Sequence, residues 1–526
     1  MNREDIRRIV KDDDGLRTKL FRKGFFLTDA SDVNYLDYPF WGQWNVTAIN
    51  QRYTLAVHKE LPCYIKSLGE ERTIGMVGHA YDPVEEEICE ERILELLAER
   101  IGAEDDFWKT VNQLTGCFCL FVAEGDRVRF LNDAAGLYSV FYGRVDSHVY
   151  VSSHSNLIGD ILGLEEDPFV TKLKSCRTFY YFGNQLPGNI TQFAEVKRLN
   201  PNHYVISDAV DTAQKRFYWP HSLDKTEDEI CDELVALMKK TMEMISKKWD
   251  RPALSLTGGC DSKTTLACMS DRYNEFSYFS YDSQPNELPD AEAAAAICEA
   301  LGLPHTLYKI PYEDEAFEDV EVIRSILIWN GGNVRNNNPN DVRKRIYLDR
   351  VEDFDVEIKS WASEIGRSRY TKRYNGKKSF GKKPSPRKCT TFYKFLFFNR
   401  GLVNKCDKAF KEYLQAYYEP AQTNPIPWQD QFYWEWHWPS RDGVNLTCEQ
   451  IYSNDITVPY NNRLVLELLL SVSEAHRVSD EIYTRIRARL DERIDRATEA
   501  IVDVNHTNKR AILETVYYYA NTLLPY

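Results

Sequence analysis

Ten consecutive residues, Leu254-Ser255-Leu256-Thr257-Gly258-Gly259-Cys260-Asp261-Ser262-Lys263, carry the densest chemistry in the chain. They begin as an apolar strand, pass through a glycine turn and run into a helix-like stretch, Thr264 to Met269. A glycine turn between a strand and a helix N-terminus is an anion site: the backbone can approach closely, several N–H groups point outward, and the helix dipole favours negative charge. Thr257 and Ser262 add hydroxyl donors. Asp261 would repel a bare phosphate, so its natural role is to hold Mg2+, which takes carboxylate and phosphate oxygens together. No Gly-Lys-Ser/Thr follows a four-residue spacer, which excludes the Walker loop. Leu256, Thr257, Gly258, Gly259, Asp261 and Ser262 are therefore the expected phosphate and nucleotide contacts.

The elements around this loop alternate. A helix from Ile230 to Ile245 precedes the strand at Leu254. A second strand, Phe276 to Tyr281, leads to an alanine-rich helix, Asp290 to Leu301, and a third strand, His305 to Ile310. Such alternation predicts a parallel doubly wound sheet with its ligand at the carboxyl ends of the strands. Ser280 and Tyr281 close the second strand and are expected to flank an adenine ring. Before about residue 215 the pattern is strands and turns with two helical intervals, including strands Arg127–Asn132 and His148–Ser153 and a helix from Glu86 to Ile101. Gly116 to Val122 reads as a buried strand. Beyond about residue 320 the chain is helical and aromatic, and Trp434, Trp436 and Trp438 mark either an interface or a packed helix.

With 526 residues the chain exceeds a single core. The composition is 43% apolar and 28% charged, and no run approaches the ~18–20 apolar residues of a membrane span. The charged start, Met1 to Arg8, lacks a signal region, so a soluble, cytoplasmic protein is expected. Twelve cysteines lie scattered without zinc spacing and read as reduced structural thiols. A net charge of −14 argues against nucleic acid as a partner.

The loop resembles the Ser-Gly-Gly-x-Asp-Ser pyrophosphate loop of ATP pyrophosphatases such as asparagine synthetase, with Thr257 in place of the first serine. Other segments resemble the asparagine synthetase superfamily in the order that family shows: Pro289-Asp290 to Pro304-His305, Val458-Pro459-Tyr460-Asn461-Asn462-Arg463, and the aromatic Asp430 to Trp436. Gly75 to His79, Asn132 to Tyr142 and Leu186 to His203 are similar to class II glutamine amidotransferase domains. The resemblance implies an α+β N-terminal Ntn-hydrolase-like sandwich over 1–218. An α/β doubly wound parallel sheet of the adenine nucleotide alpha hydrolase type follows over 219–526, ending in a largely helical part.

Two departures bear on chemistry. Class II glutaminases use a cysteine at position 2; Asn2 stands here and the first cysteine is Cys63, so glutaminase activity is not expected, as in beta-lactam synthetase and lasso-peptide cyclases. After an expected strand, Phe354 to Ile358, the family's later acidic motif is replaced by Ser360-Trp361-Ala362-Ser363-Glu364-Ile365-Gly366-Arg367. There the resemblance assigns Glu364 as the second metal-facing carboxylate beside Asp261 and groups Ser360 with the nucleotide contacts. Arg367, with Arg369, would neutralise departing pyrophosphate. As a plain helix-start residue, Glu364 would instead be a solvated surface charge.

Three further segments stay open. The polar run Trp329 to Asn340 is either a substrate loop, with Arg335 gripping a carboxylate, or a surface loop. Gly366 to Arg400 carries twelve Lys or Arg and no acid, as either a lid or a solvated insertion. Lys509 matches no motif.

The resemblance implies an ATP- and Mg2+-dependent, AMP-forming ligase that adenylates a substrate carboxylate and passes it to ammonia or an amine. Asp261, Glu364 and Arg367 would be its catalytic groups. The substrate would be a small molecule, peptide or glycan bearing a carboxylate, with no membrane partner, and a homodimer is an open option. The alternatives are a non-catalytic nucleotide-binding scaffold of a biosynthetic cluster and a sulfur-transfer or tRNA-modifying pyrophosphatase, for which Cys260 would be the reactive thiol.

Overall fold

The computed structural model describes residues 3–176, 179, 184–333, 338–374, 384–393, 399–418 and 426–498. Strands β1 (Phe25–Thr28), β2 (Trp44–Ala48), β3 (Thr54–His58), β4 (Cys63–Ser67), β5 (Arg72–Tyr81) and β6 (Thr115–Glu124) come first. They are followed by β7 (Arg127–Asn132), β8 (Phe141–Val145), β9 (His148–Ser152), β10 (Val196–Arg198), β11 (His203–Ser207) and β12 (Thr212–Arg216). These strands form two six-stranded sheets, ordered β10-β8-β9-β1-β3-β2 and β12-β11-β7-β6-β5-β4, and their pairings are antiparallel.

The period of two in β6 shows how the layers assemble. Cys119, Phe121 and Ala123 face the other sheet and pack with Phe25, Leu27 and Val151. Phe118, Leu120 and Val122 face the opposite way, onto Ile93, Leu97 and Val111 of the helices Glu90–Arg100 and Glu104–Gln113. Both faces are therefore buried, which explains a near-continuous apolar run instead of alternation. Each of the Phe, Leu, Ile and Val side chains among them contributes about 1.5–3 kcal/mol on burial.

The N-terminal half holds more helix than its sequence suggests: Arg3–Lys11, Asp14–Arg17, Ser155–Leu162 and Pro168–Lys174 add to the two on the second sheet. The expected Glu86–Ile101 helix starts only at Glu90. Asp82 accepts the N–H groups of Val84 and Glu85 at 3.0 Å each, and Glu86 adopts a left-handed φ of 58°. That turn competes with the helix for the backbone donors.

The second half begins with the long helix Glu227–Lys248, opened by a capping box in which Thr226 and Glu229 satisfy each other's backbone N–H. It delivers β13 (Pro252–Ser255). Then come β14 (Ser277–Asp282), β15 (Thr306–Lys309), β16 (Val356–Ile358) and β17 (Asp455–Thr457), the last unanticipated in the sequence. All pairings are parallel, in the order β15-β14-β13-β16-β17. The chain thus winds outward from β13 to β15, then restarts on the other side of β13 with β16. The point of reversal lies between β13 and β16, where Leu254 pairs with Ile358.

One apolar core runs from Ile6 to Ile494 and is shared by the two halves. Polar contacts fix the seam. Lys23, just ahead of β1, donates to Asp455 Oδ1 at 2.7 Å. Asn461 Oδ1 accepts the Ala135 N–H at 2.7 Å, and its Nδ2 donates to Gly116 O at 2.6 Å. Trp434, Trp436 and Trp438 are buried in this seam, not presented to a partner. Trp434 donates to Ala134 O and Trp436 to Gly188 O, from a π-helical stretch, Tyr433–His437. Among the described residues no helix is long and apolar enough to cross a membrane.

Candidate functional site

The glycine loop leaves the carboxyl end of β13, and Ser360 to Arg367 leave the carboxyl end of β16, its neighbour. The two segments therefore flank the reversal point, the crevice where open parallel sheets bind ligands. Leu256 continues the strand: its N–H donates to Phe279 O at 2.8 Å. The loop hydroxyls organise the turn. Gly259 N–H donates to Thr257 Oγ1 at 3.1 Å, Thr257 N–H to Ser262 Oγ at 3.2 Å, and Ser262 Oγ to Thr257 O at 3.0 Å. The turn is thus held in shape by Thr257 and Ser262 before any ligand contact. A Cβ on Gly258 would meet Ala293 Cβ at 2.9 Å, so glycine there lets the helix Leu288–Leu301 approach.

Asp261 sits in the first turn of the helix Cys260–Ala267. Both its oxygens accept from Nη1 of Arg367, at 2.9 and 2.7 Å. The other edge of the same guanidinium donates to Asp480, Nε to Oδ1 at 2.8 Å and Nη2 to Oδ2 at 2.7 Å. Lys372 also pairs with Asp480. Burial pushes the Asp261 carboxyl above the usual range, against the pull of Arg367. Glu364 stands in the short 3-10 helix Ser363–Arg367. Burial, then the negative charge of Asp261, push its carboxyl up to about 7, opposed by Arg441 and Arg369. Two carboxylates thus crowd one another in a poorly solvated place, which a divalent cation would relieve. Among the described residues no group of three or more His, Cys, Asp and Glu gathers into a metal cage. A carboxylate pair suits Mg2+, which binds through one or two carboxylates and completes its shell with water and phosphate.

The remaining expected residues fall around this centre. Ser360 Oγ shares a hydrogen bond of 2.7 Å with Thr265 Oγ1, joining the β16 turn to the loop helix. Ser280 is buried and its hydroxyl serves Leu256 O at 2.7 Å and His305 Nε2 at 3.0 Å. That side chain holds the sheet edge together, leaving Tyr281 as the half-buried ring at the strand end, with Lys344 Nζ 4.3 Å from its centroid. Cys260 lies against Arg487, whose Nη1 is 3.3 Å from Sγ, yet burial pushes the thiol up. Arg335 and Lys509 lie outside the described residues, as do 375–383 and 394–398 of the basic segment.

Sequence reasoning did not single out Asp480, Arg441 or Asp442. Asp480 has a left-handed φ of 60° and heads the helix Glu481–Leu490, which packs on the loop helix. Arg441 belongs to a second π-helical run, Pro439–Gly443, and bonds its neighbour Asp442 at 2.8 Å. The available clue was the dense arginine pattern after residue 476, whose Arg487 donates to Thr264 Oγ1 at 2.8 Å.

No protein-family model and no curated protein matches the sequence. Among solved structures, three similar chains are a glutamine phosphoribosylpyrophosphate amidotransferase from B. subtilis complexed with ADP and GMP, an allosteric regulatory enzyme of purine biosynthesis, and a glutamine-dependent NAD+ synthetase from Acinetobacter baumannii in complex with ADP. Identities are 11%, 10% and 16%, over 68%, 56% and 31% of this chain and 73%, 61% and 33% of theirs. The TM-scores are 0.24, 0.25 and 0.18, so the functional reading rests on the geometry above.

Proposed function

We propose that the chain is an ATP-dependent, AMP-forming amide ligase, with residues 1–218 as a sandwich domain without glutaminase activity and 219–526 as the ATP pyrophosphatase domain. The observation that carries this reading is the convergence of the glycine loop, Asp261, Glu364 and Arg367 at the reversal point of a parallel sheet. ATP supplies the activation: a substrate carboxylate displaces pyrophosphate from the α-phosphorus, and an amine or ammonia then displaces AMP to leave an amide. Asp261 and Glu364 would hold Mg2+, which when bound would supply charge neutralisation for the leaving pyrophosphate.

The chain's own residues position and neutralise. The N–H groups at the start of the helix Cys260–Ala267 face the anion, and the prearranged Thr257–Ser262 bonds mean that little reorganisation accompanies binding. Arg367 brings a fixed fork of donors suited to phosphate oxygens. Catalysis by positioning and charge neutralisation needs no covalent enzyme intermediate.

A sulfur-transfer role finds no support in Cys260, because a partly buried thiol held above its ordinary range is a poor nucleophile. Cys63 is likewise pushed up to about 12 by burial, which supports a sandwich domain without thiol hydrolase chemistry. The nucleotide product tests the reading. Incubation with Mg-ATP, pooled carboxylic acids and ammonia or amines gives AMP and pyrophosphate; ADP and phosphate as products would overturn it, and no turnover despite nucleotide binding would favour a scaffold.

A further inference from the structure

Asp261 is expected to hold a metal, yet both of its oxygens are already taken by Arg367. The same guanidinium is gripped on its other edge by Asp480, through two bonds of 2.8 and 2.7 Å. One planar cation therefore bridges two carboxylates from distant parts of the chain. Among the described residues Arg367 is the one cation at hydrogen-bond distance from Asp261; Lys372 acts on Asp261 only through space and is paired directly with Asp480. The two ends of the bridge are thus unequal: the Asp480 end is reinforced by a second cation, and the Asp261 end is the one facing the glycine loop.

We propose that Arg367 is an internal stand-in for the divalent cation at Asp261, displaced from that carboxylate when metal binds, and that Asp480 is the positioning residue that retains it beside the loop. The proposal rests on Asp261 and Glu364 being the metal-holding pair. A divalent cation and a guanidinium compete for the same two oxygens, so the resting ion pair weakens binding of metal alone. When the metal takes Asp261, the Nη1 donor is freed at the edge of the phosphate site while Nε and Nη2 stay on Asp480. The site then gains its metal and its free arginine donor in one exchange, and metal arriving with an anionic nucleotide is favoured over metal by itself. Asp480 touches no reacting atom in this scheme; it acts through Arg367. Its left-handed backbone, φ 60°, at the head of the helix Glu481–Leu490 sets the carboxylate facing Arg367.

The test is Mn2+ binding to the full chain without nucleotide, followed by electron paramagnetic resonance of free Mn2+. Arg367→Gln should bind Mn2+ at least tenfold more tightly than the wild type, and Asp261→Asn added to it should abolish the gain. Arg367→Lys, which keeps a cation but cannot serve both carboxylates in parallel, should show a smaller gain and guards against a folding defect in the glutamine variant. Asp480→Asn leaves the Asp261 pair in place and should not tighten Mn2+ binding, while weakening Mg-ATP binding. A folded Arg367→Gln or Arg367→Lys protein that binds Mn2+ no better than the wild type overturns the proposal. Absence of ATP chemistry in the wild type would instead overturn the ligase reading, which this metal titration does not use.

Discussion

Burial, joined by the negative charge of Asp261 on the helix after β13, pushes the Glu364 carboxyl after β16 up to about 7, so two strands' ends share one electrostatic centre. Folding therefore favours the protonated form of Glu364, whose ordinary value is 4.5. The native chain holds that proton between about pH 4.5 and 7 while the unfolded chain has lost it, and stability falls as pH rises through this window. The upper bound is about 3–4 kcal/mol at ~1.4 kcal/mol per unit. Denaturant midpoints in EDTA across this range should decline for the wild type and stay flatter for Glu364→Gln. Added Mg2+ should stabilise the wild type chiefly above the window, once the pair is ionised. Identical profiles for the two proteins would remove Glu364 as the source.

Gly258 and Gly259 should respond differently to alanine. A Cβ at Gly258 lies 2.9 Å from Ala293 Cβ, on a packed helix, whereas at Gly259 the nearest atom is the Thr257 hydroxyl at 3.1 Å. Overpacking of this kind costs about 1–3 kcal/mol. Gly258→Ala should lose stability in that range in urea titrations, with Gly259→Ala the milder change. Equal losses would mean that helix approach is not what requires Gly258.

The seam has its own test. Arg216, at the end of β12, grips Glu435 with bonds of 2.6 and 2.7 Å, and Asn202 adds a third at 3.0 Å to the same carboxylate. Glu435 is fully buried and the Arg216 side chain is only 9% exposed. Removing one partner of a buried pair costs about 3–5 kcal/mol, because the other charge is stranded. Glu435→Ala should therefore lower unfolding free energy by that order. A loss near that of an exposed pair, below about 1 kcal/mol, would show that water reaches Arg216.

Cys63 and Cys260 should react slowly. Burial raises both thiols, Cys63 to about 12. At pH 7.5 their alkylation by iodoacetamide in the native chain should lag that of a free cysteine by at least an order of magnitude, since thiolate is the reacting form. Rapid labelling at Cys260 would reopen the sulfur-transfer reading.

Much of the second half was legible because its signals are local. Apolar runs between helices gave β13, β14, β15 and β16 to within about two residues, and the glycine turn could only be a strand-to-helix corner. The strand β17 escaped because Ser453-Asn454-Asp455 leads into it without alternation, whereas the equally short β16 continues the alternating Phe354-Asp355-Val356-Glu357-Ile358. In the first half, helices such as Ser155–Leu162 lacked a period to distinguish them from buried strand, because they are covered on nearly every side. The site was half legible. Asp261 belongs to a contiguous motif and Glu364 to a turn that follows a recognisable strand. Asp480 and Arg441 lie more than 70 residues further along the chain and reach the site only through helix packing and a π-helical run, neither of which leaves a spacing rule. The three tryptophans were ambiguous between interface and core until the seam showed Trp434 and Trp436 bonded to backbone carbonyls of the first half.

The most direct test is ATP–pyrophosphate exchange with pooled carboxylic acids, without ammonia or amines, comparing the wild type with Asp261→Ala and Glu364→Ala. Exchange that requires an acid and is lost in both variants, by at least a hundredfold, is the predicted result. Exchange that survives loss of either carboxylate, or none with any acid despite Mg-ATP binding, would contradict the assignment of this centre to adenylation.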